Sequence, residues 1–129
     1  MTNTILVVED ERPLLEAIKI KLEKNGLEVV TARSVEQALG YLKDLKIDGI
    51  WLDHYLLGRE SGLDLVANVK NEGSQWRNIP IFVVSNTASE EKVRAYMTFG
   101  VEKYFVKADF RLDQIIHYIN EHLQHGQPE

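Results

Sequence analysis

Five short apolar runs recur along this 129-residue chain, and they limit its possible folds more than any other feature. Several runs are apolar at consecutive positions, which is typical of strands that are buried on both faces, as in a parallel sheet. We therefore predict five strands, over residues 5–8, 27–30, 47–52, 81–84 and 104–106.

Amphipathic stretches separate the apolar runs. The first repeats apolar residues at helical spacing and ends at Asn25-Gly26, a pair suited to a left-handed stop. Four more helices are predicted, over residues 34–45, 62–71, 89–100 and 111–123. Strand and helix thus alternate five times, which predicts an α/β fold with one doubly wound parallel sheet and helices on both faces. We expect a single domain over residues 1–125 and a frayed tail over 126–129.

Composition and charge exclude several classes of function. The formal net charge is -5 and no basic block is present, so we expect no nucleic-acid partner, because duplex binding depends on Lys and Arg. The absence of cysteine excludes disulfides and thiolate metal sites. The first apolar run is too short for a signal peptide or a membrane span, so we expect a cytoplasmic protein without a membrane partner.

Polar side chains of special chemistry follow the predicted strands. Each has an ordinary explanation as a loop, cap or surface residue, but all fall at carboxyl ends: Glu9, Asp10, Asp53, Ser85 and Lys107. Because parallel strands share one edge of the sheet, we expect one pocket. Clustered carboxylates repel each other and invite a divalent cation, and hard oxygen ligands favour Mg²⁺. We expect Asp10 as the principal ligand, Glu9 as a direct or water-mediated helper, and Asp53 as a nucleophile for phosphoryl transfer.

These five residues, with Gly100 before the last strand, resemble the receiver domain of bacterial two-component response regulators. The resemblance extends over about residues 3–123 and implies a flavodoxin-like (βα)₅ fold with strand order 2-1-3-4-5. It also implies that Asp53 is the phosphoacceptor and that the backbone carbonyl of Tyr55 completes the Mg²⁺ ligands.

The resemblance further implies a switch. Lys107 and Ser85 would contact the phosphoryl group, and Tyr104 would turn inward as Ser85 moves toward that group. A plain role for Tyr104 as a core aromatic of the fifth strand stays open, because aromatic residues favour strands.

The function implied is that of a stand-alone phosphoacceptor in a two-component phosphorelay. Asp53 would take its phosphoryl group from the phosphohistidine of a histidine kinase or a histidine phosphotransfer protein. An unknown protein target would then recognise the face formed by helix four, strand five and helix five. We expect a monomer or weak homodimer that is no enzyme beyond its own phosphorylation and autodephosphorylation.

Some positions depart from the family pattern. Ala108 stands where proline is common, so a trans bond before it is the default. Leu57 also replaces a common proline, and the loop that follows is one residue longer than usual. Tyr55, Asn86 and Thr87 fall where family members vary the lifetime of the phosphoryl group. A bulky Tyr55 ring would screen water, which predicts slow autodephosphorylation.

The departures leave an alternative open, namely a degenerate receiver that binds proteins without being phosphorylated. A flavin- or dinucleotide-binding domain is disfavoured, because the acidic first loop, residues 9–11, would repel phosphate. A phosphatase of the haloacid dehalogenase type would need a second Asp where Tyr55 stands.

The histidines are assigned no chemistry. His117, His122 and His125 lie at spacings that do not place all three on one helix face, which disfavours a zinc site. His54 should point to the other side of the strand from Asp53, as a packing or surface residue.

Overall fold

The computed structural model describes residues 2–87 and 89–125, which form five strands and five α-helices in alternation. The strands are β1 Thr4–Val8, β2 Glu28–Ala32, β3 Gly49–Leu52, β4 Ile81–Ser85 and β5 Lys103–Val106. The helices are α1 Arg12–Lys24, α2 Val35–Asp44, α3 Gly62–Lys70, α4 Glu90–Thr98 and α5 Leu112–His125.

All five strands are parallel and lie in the order β2-β1-β3-β4-β5, which confirms the predicted topology. Alternate residues of the central strands enter two separate cores. Ile5 and Val7 pack beneath α1 and α5, whereas Leu6 and Val8 pack with residues of α2, α3 and α4. The near-continuous apolar runs of the sequence are explained by this burial on both faces.

Local residue chemistry sets the helix ends. The Ser34 side chain accepts a hydrogen bond from the Gln37 backbone N–H and so caps the N-terminus of α2. Gly100 has φ +95°, a left-handed conformation that ends α4 and turns the chain into β5. Within the described segments, no helix combines the length and apolar character needed to cross a bilayer.

Some predicted bounds differ from the structure. The second strand extends to Ala32, because that residue pairs with Val8 of β1. The third begins at Gly49 and not at residue 47, because the Asp48 carboxylate accepts the Thr4 backbone N–H. A 3₁₀ turn at Lys107–Asp109 was not predicted, and the tail at 126–129 lies outside the described residues.

Candidate functional site

Three carboxylates meet at the carboxyl edge of the sheet. The backbone pairing continues one residue beyond β1 and β3, since Glu9 N–H donates to Ala32 and Asp53 N–H donates to Val8. These bonds place Glu9 and Asp53 side by side, with exposures of only 1% and 5%. Each of Glu9, Asp10 and Asp53 offers one oxygen, and the three oxygens lie within 4.8 Å of one another. We call these three residues the acid cluster.

One ammonium group faces the acid cluster. Lys107, in the 3₁₀ turn after β5, places Nζ 3.3 Å from Glu9 Oε1 and 3.8 Å from Asp53 Oδ2. The peptide bond to Ala108 is trans, as are all the described peptide bonds, so the default expected for a non-proline residue holds. A single lysine therefore serves two buried carboxylates.

Burial raises the pKa of both buried carboxylates, and Lys107 partly opposes this effect. Burial, and then the neighbouring Asp53, raise the pKa of Glu9 from its ordinary 4.5 to about 7, against the opposing effect of Lys107. Burial also raises the pKa of Asp53, while Lys107 and the His54 backbone N–H lower it. Three acids with one shared cation leave negative charge uncompensated. A hard divalent cation fits this set of oxygen donors, because it would remove the repulsion.

A second basic residue fixes the loop that carries Asp10. Arg33 donates two hydrogen bonds to the Asp10 backbone carbonyl, from Nε at 3.0 Å and from Nη2 at 2.7 Å. The Glu11 backbone N–H donates to Glu9 Oε2 at 3.2 Å. These hydrogen bonds order the first loop through the Asp10 backbone carbonyl and the Glu9 side chain. They do not involve the Asp10 carboxylate. Arg33 had no motif or strand-end position that could have predicted this contact.

Ser85 and Tyr104 are joined through the loop after β4. Ser85 is fully buried at the end of β4, and its Oγ accepts the Thr87 backbone N–H at 3.4 Å. The Tyr104 hydroxyl donates to the Thr87 carbonyl at 2.9 Å, and its half-buried ring lies 5.6 Å from that of Tyr96. Asn86, which lies between Ser85 and Thr87 in the sequence, is exposed. One residue, Thr87, therefore contacts both side chains that the sequence suggested as a switch.

Tyr55 follows Asp53 by two residues, and its side chain is half exposed. Lys92 of α4 donates from Nζ to the Tyr55 hydroxyl at 3.3 Å, and the same ammonium lies 5.4 Å from the ring centroid. These contacts anchor the ring to α4. The expectation that its backbone carbonyl completes a cation site stays a prediction.

His54 is a packing residue, as predicted, but it also makes a contact that the sequence did not indicate. Its Nδ1 lies 2.6 Å from the hydroxyl oxygen of Tyr96, a fully buried residue of α4. The two rings meet edge to face at 5.7 Å. We call His54, Tyr96 and Tyr104 the aromatic cluster. The position of His54, two residues after a buried strand, was the one sequence signal for this contact. It does not identify a partner 42 residues away.

His122 of α5 has its partner outside the acid cluster. His122 places Nδ1 3.6 Å from a carboxylate oxygen of Glu102. Among residues 2–87 and 89–125, the acid cluster is the only group of three or more side chains with metal-ligand geometry.

A model of the response regulator receiver domain matches residues 5–120, which is most of the chain. The chain belongs to this family. Its five parallel strands in the order 2-1-3-4-5 are those of solved receivers of the chemotaxis-receiver type, so the flavodoxin-like fold implied by the resemblance is correct.

Two curated relatives illustrate the similarity of this receiver domain. It is 37% identical over 108 residues to the phosphate regulon transcriptional regulatory protein PhoB of Escherichia coli K12, covering 83% of this chain and 46% of PhoB. It is 30% identical over 106 residues to the heme response regulator HssR of Staphylococcus saprophyticus, covering 81% of this chain and 42% of HssR. The chain therefore spans about half the length of the curated relatives it matches.

Solved receivers superpose over nearly the whole chain. The phosphorylated cyanobacterial phytochrome response regulator RcpA gives a TM-score of 0.85 at 25% identity, covering 99% of this receiver and 98% of RcpA. A response regulator receiver protein from Pseudomonas putida gives 0.85 at 29% identity, with coverages of 94% and 98%. The backbone that carries the pocket therefore has the same fold as these solved receivers.

Proposed function

We propose that this receiver domain accepts a phosphoryl group on Asp53 and transmits the change through α4, β5 and α5. The observation that carries the proposal is the convergence of the acid cluster with Lys107, whose Nζ lies 3.3 Å from Glu9 and 3.8 Å from Asp53. A structural role alone gives no reason to bury two carboxylates beside each other with one cation, because their repulsion costs stability.

Asp53 is the nucleophile in this proposal. Its Oδ1 accepts the His54 backbone N–H at 2.9 Å, which orients the carboxylate, and Oδ2 faces Lys107. An Asp53 oxygen forms a bond to the phosphorus of a donor phosphohistidine while the P–N bond breaks. The electron pair of that bond stays with the imidazole nitrogen of the donor, and Asp53 becomes an acyl phosphate.

The proposed cofactor is Mg²⁺. The acid cluster would hold it, with Asp10 as principal ligand, Glu9 and Asp53 as further acids and the Tyr55 carbonyl as a neutral ligand. When bound, the ion neutralises negative charge on the carboxylates and on the incoming phosphoryl oxygens. The hydrogen bonds from Arg33 to the Asp10 carbonyl keep the loop in place for this role.

Lys107 and Ser85 are the proposed contacts of the phosphoryl group. Lys107 would exchange its contact with Asp53 Oδ2 for a phosphoryl oxygen, and the Ser85 hydroxyl would donate to another. Because Ser85 Oγ also accepts the Thr87 N–H, its movement would shift the carbonyl to which Tyr104 donates. The proposed switch thus depends on the two contacts of Thr87, with Ser85 and with Tyr104. The free energy that drives it comes from hydrogen bonds that form only in the phosphorylated state.

The proposed partners are proteins. A histidine kinase or a histidine phosphotransfer protein would be the donor, and an unidentified target would recognise the α4-β5-α5 face. The net charge of -5 supports protein rather than nucleic-acid partners for this domain itself. We further propose that the domain turns over no substrate other than its own phosphoryl group.

One experiment separates this proposal from a degenerate receiver that binds without phosphorylation. The protein is incubated with acetyl phosphate, with Mg²⁺ or with a chelator, and its intact mass is measured. We expect a single phosphoryl increment that needs the metal and is absent in Asp53→Ala. Glu60→Ala, an exposed acid of the same loop, is the control and should retain the increment. The absence of any increment in the wild-type protein would favour the degenerate receiver.

A further inference from the structure

The residue after Asp53 makes a buried connection to α4 that phosphoryl transfer does not require. His54 Nδ1 and the Tyr96 hydroxyl oxygen are 2.6 Å apart, and Tyr96 is fully buried. Burial lowers the pKa of His54 and raises the pKa of Tyr96, so it disfavours the charged form of each side chain. Their hydrogen bond is therefore a directional contact in a dry region, where a lost partner is not replaced by water.

The same histidine also contacts the proposed phosphoacceptor. Its backbone N–H donates to Asp53 Oδ1 at 2.9 Å. His54 thus holds the carboxylate with its backbone and α4 with its ring. A displacement of its backbone would be carried by the ring to Tyr96.

Close packing around His54 leaves little room for independent movement. The Gly62 N–H, at the start of α3, donates to the His54 carbonyl at 2.8 Å. A Cβ atom built at Gly62 would lie 2.5 Å from the Asp53 carbonyl oxygen, 2.8 Å from the Tyr96 hydroxyl and 3.1 Å from His54 Cα. Interiors packed this tightly transmit displacement between neighbouring groups. The end of β3, the start of α3 and the middle of α4 therefore meet at one hydrogen bond.

We propose that His54 and Tyr96 are a positioning pair that couples the charge state of Asp53 to α4, separately from the contacts of Ser85, Thr87 and Tyr104. The inference rests on the proposed function in assigning the natural change of charge to phosphorylation. Forming the acyl phosphate removes the negative charge from the Asp53 carboxyl group itself. The bond from the His54 N–H then changes from charge-assisted to neutral, and charge-assisted bonds are roughly twice as strong. The released backbone moves, and the ring carries α4 with it.

The test neutralises Asp53 without any phosphodonor. Backbone amide chemical shifts of α4, Glu90–Thr98, are compared between wild type and Asp53→Asn, and again in a Tyr96→Phe background. We expect Asp53→Asn to shift the α4 amides in the presence of the Tyr96 hydroxyl, and to produce less than half of that shift without it. Tyr118→Phe, which removes a hydroxyl on α5, is the matched control and should leave the response intact.

Two substitutions of His54 test whether a polar side chain at this position is enough to keep the α4 response. The side-chain amide of His54→Asn reaches about as far as Nδ1 and should keep the α4 response, whereas His54→Leu should lose it as Tyr96→Phe does. Thermal melting confirms that each variant is folded, and two independent variants guard against the failure of either one. An α4 response of unchanged size in Tyr96→Phe or in His54→Leu would overturn the proposal.

The result is independent of whether the protein is phosphorylated. A wild-type protein that gains no phosphoryl mass, but whose α4 response depends on Tyr96, would refute the proposed function and retain the coupling. A phosphorylated protein whose α4 response ignores Tyr96 would do the reverse.

Discussion

The acid cluster and the aromatic cluster both adjoin Asp53, yet they are built on opposite principles. In the acid cluster, three carboxylate oxygens lie within 4.8 Å of one another and one lysine contacts two of the three residues, so negative charge is left uncompensated. In the aromatic cluster, the Tyr96 and Tyr104 hydroxyls both have partners, at 2.6 and 2.9 Å, and burial raises the pKa of both hydroxyls. We infer that the two clusters have different roles. Unbalanced charge attracts a cation and a phosphoryl group, whereas satisfied, tightly packed groups transmit the consequence.

The largest expected effect comes from Lys107, whose ammonium group contacts Glu9 and Asp53 of the acid cluster. Lys107→Met should slow phosphorylation of Asp53 by about 10²–10³-fold, the usual cost of removing one charge-stabilising donor. Because the ammonium competes with a divalent cation, Mg²⁺ should bind the variant more tightly. Initial rates with acetyl phosphate and a Mg²⁺ titration would measure both effects. Lys103→Met, at the start of β5 and outside the acid cluster, is the control, and equal rates in the two variants would contradict the expected role of Lys107.

The next effect concerns pH in the metal-free protein. The pKa of Glu9 rises on folding from 4.5 to about 7, so the folded state favours the protonated form. Ionising Glu9 in the folded state should therefore cost about 3 kcal/mol of stability, a cost that is absent below pH 4.5 and reaches its full value above about pH 7. Urea unfolding in chelator at about pH 5 and about pH 8 would measure the loss. Glu9→Gln should flatten the dependence, and a slope equal to that of wild type would contradict the assignment.

A glycine pair tests the tight packing on the aromatic side. Gly62→Ala forces a Cβ against the Asp53 carbonyl and the Tyr96 hydroxyl, and should destabilise the fold by about 1–3 kcal/mol. Gly40→Ala, in an exposed turn of α2 with nothing within 4 Å, should stabilise it by about 0.5–1 kcal/mol. Urea unfolding would compare the two. Similar values for both substitutions would show that Gly62 is not confined.

The smallest effect concerns Tyr55, two residues after Asp53. Lys92 holds the ring close to α4, and we expect the bulky ring to screen water from the acyl phosphate. Tyr55→Asn should speed autodephosphorylation by about 3–10-fold, or roughly 1 kcal/mol in the barrier. Decay of the phosphorylated mass after removal of the donor would measure it. Lys92→Met should give part of the same increase, and unchanged decay in Tyr55→Asn would exclude screening.

Sequence reasoning predicted the fold because the strands are buried on both faces. Runs such as 5–8 and 81–84 are apolar at every position for that reason, and the intervening helical periodicity fixes a parallel sheet. The strand order came from the family resemblance and not from spacing. The bounds of β2 and β3 were less accurate, because Ala32 and Asp48 are fixed by pairing and hydrogen bonding to β1.

The acid cluster was predictable because strand ends are visible in sequence. Glu9 and Asp53 of the cluster, and Lys107 that contacts both, each follow an apolar run, and parallel strands bring their carboxyl ends together. The contacts of Arg33 and of His54 with Tyr96 were not predictable in this way. Both depend on side-chain directions across loops and helices, and neither leaves a periodic pattern or a fixed spacing in the chain.

We propose that the charged pocket directs phosphorylation to one aspartate, Asp53. The phosphorylated protein can be trapped by reduction with borohydride, and the reduced residue can then be located by peptide mapping. We expect reduction at Asp53 alone, dependent on Mg²⁺ and on the phosphodonor. Reduction at Asp10 or Glu9 in place of Asp53, or no reduced residue in a protein with an intact fold, would contradict it.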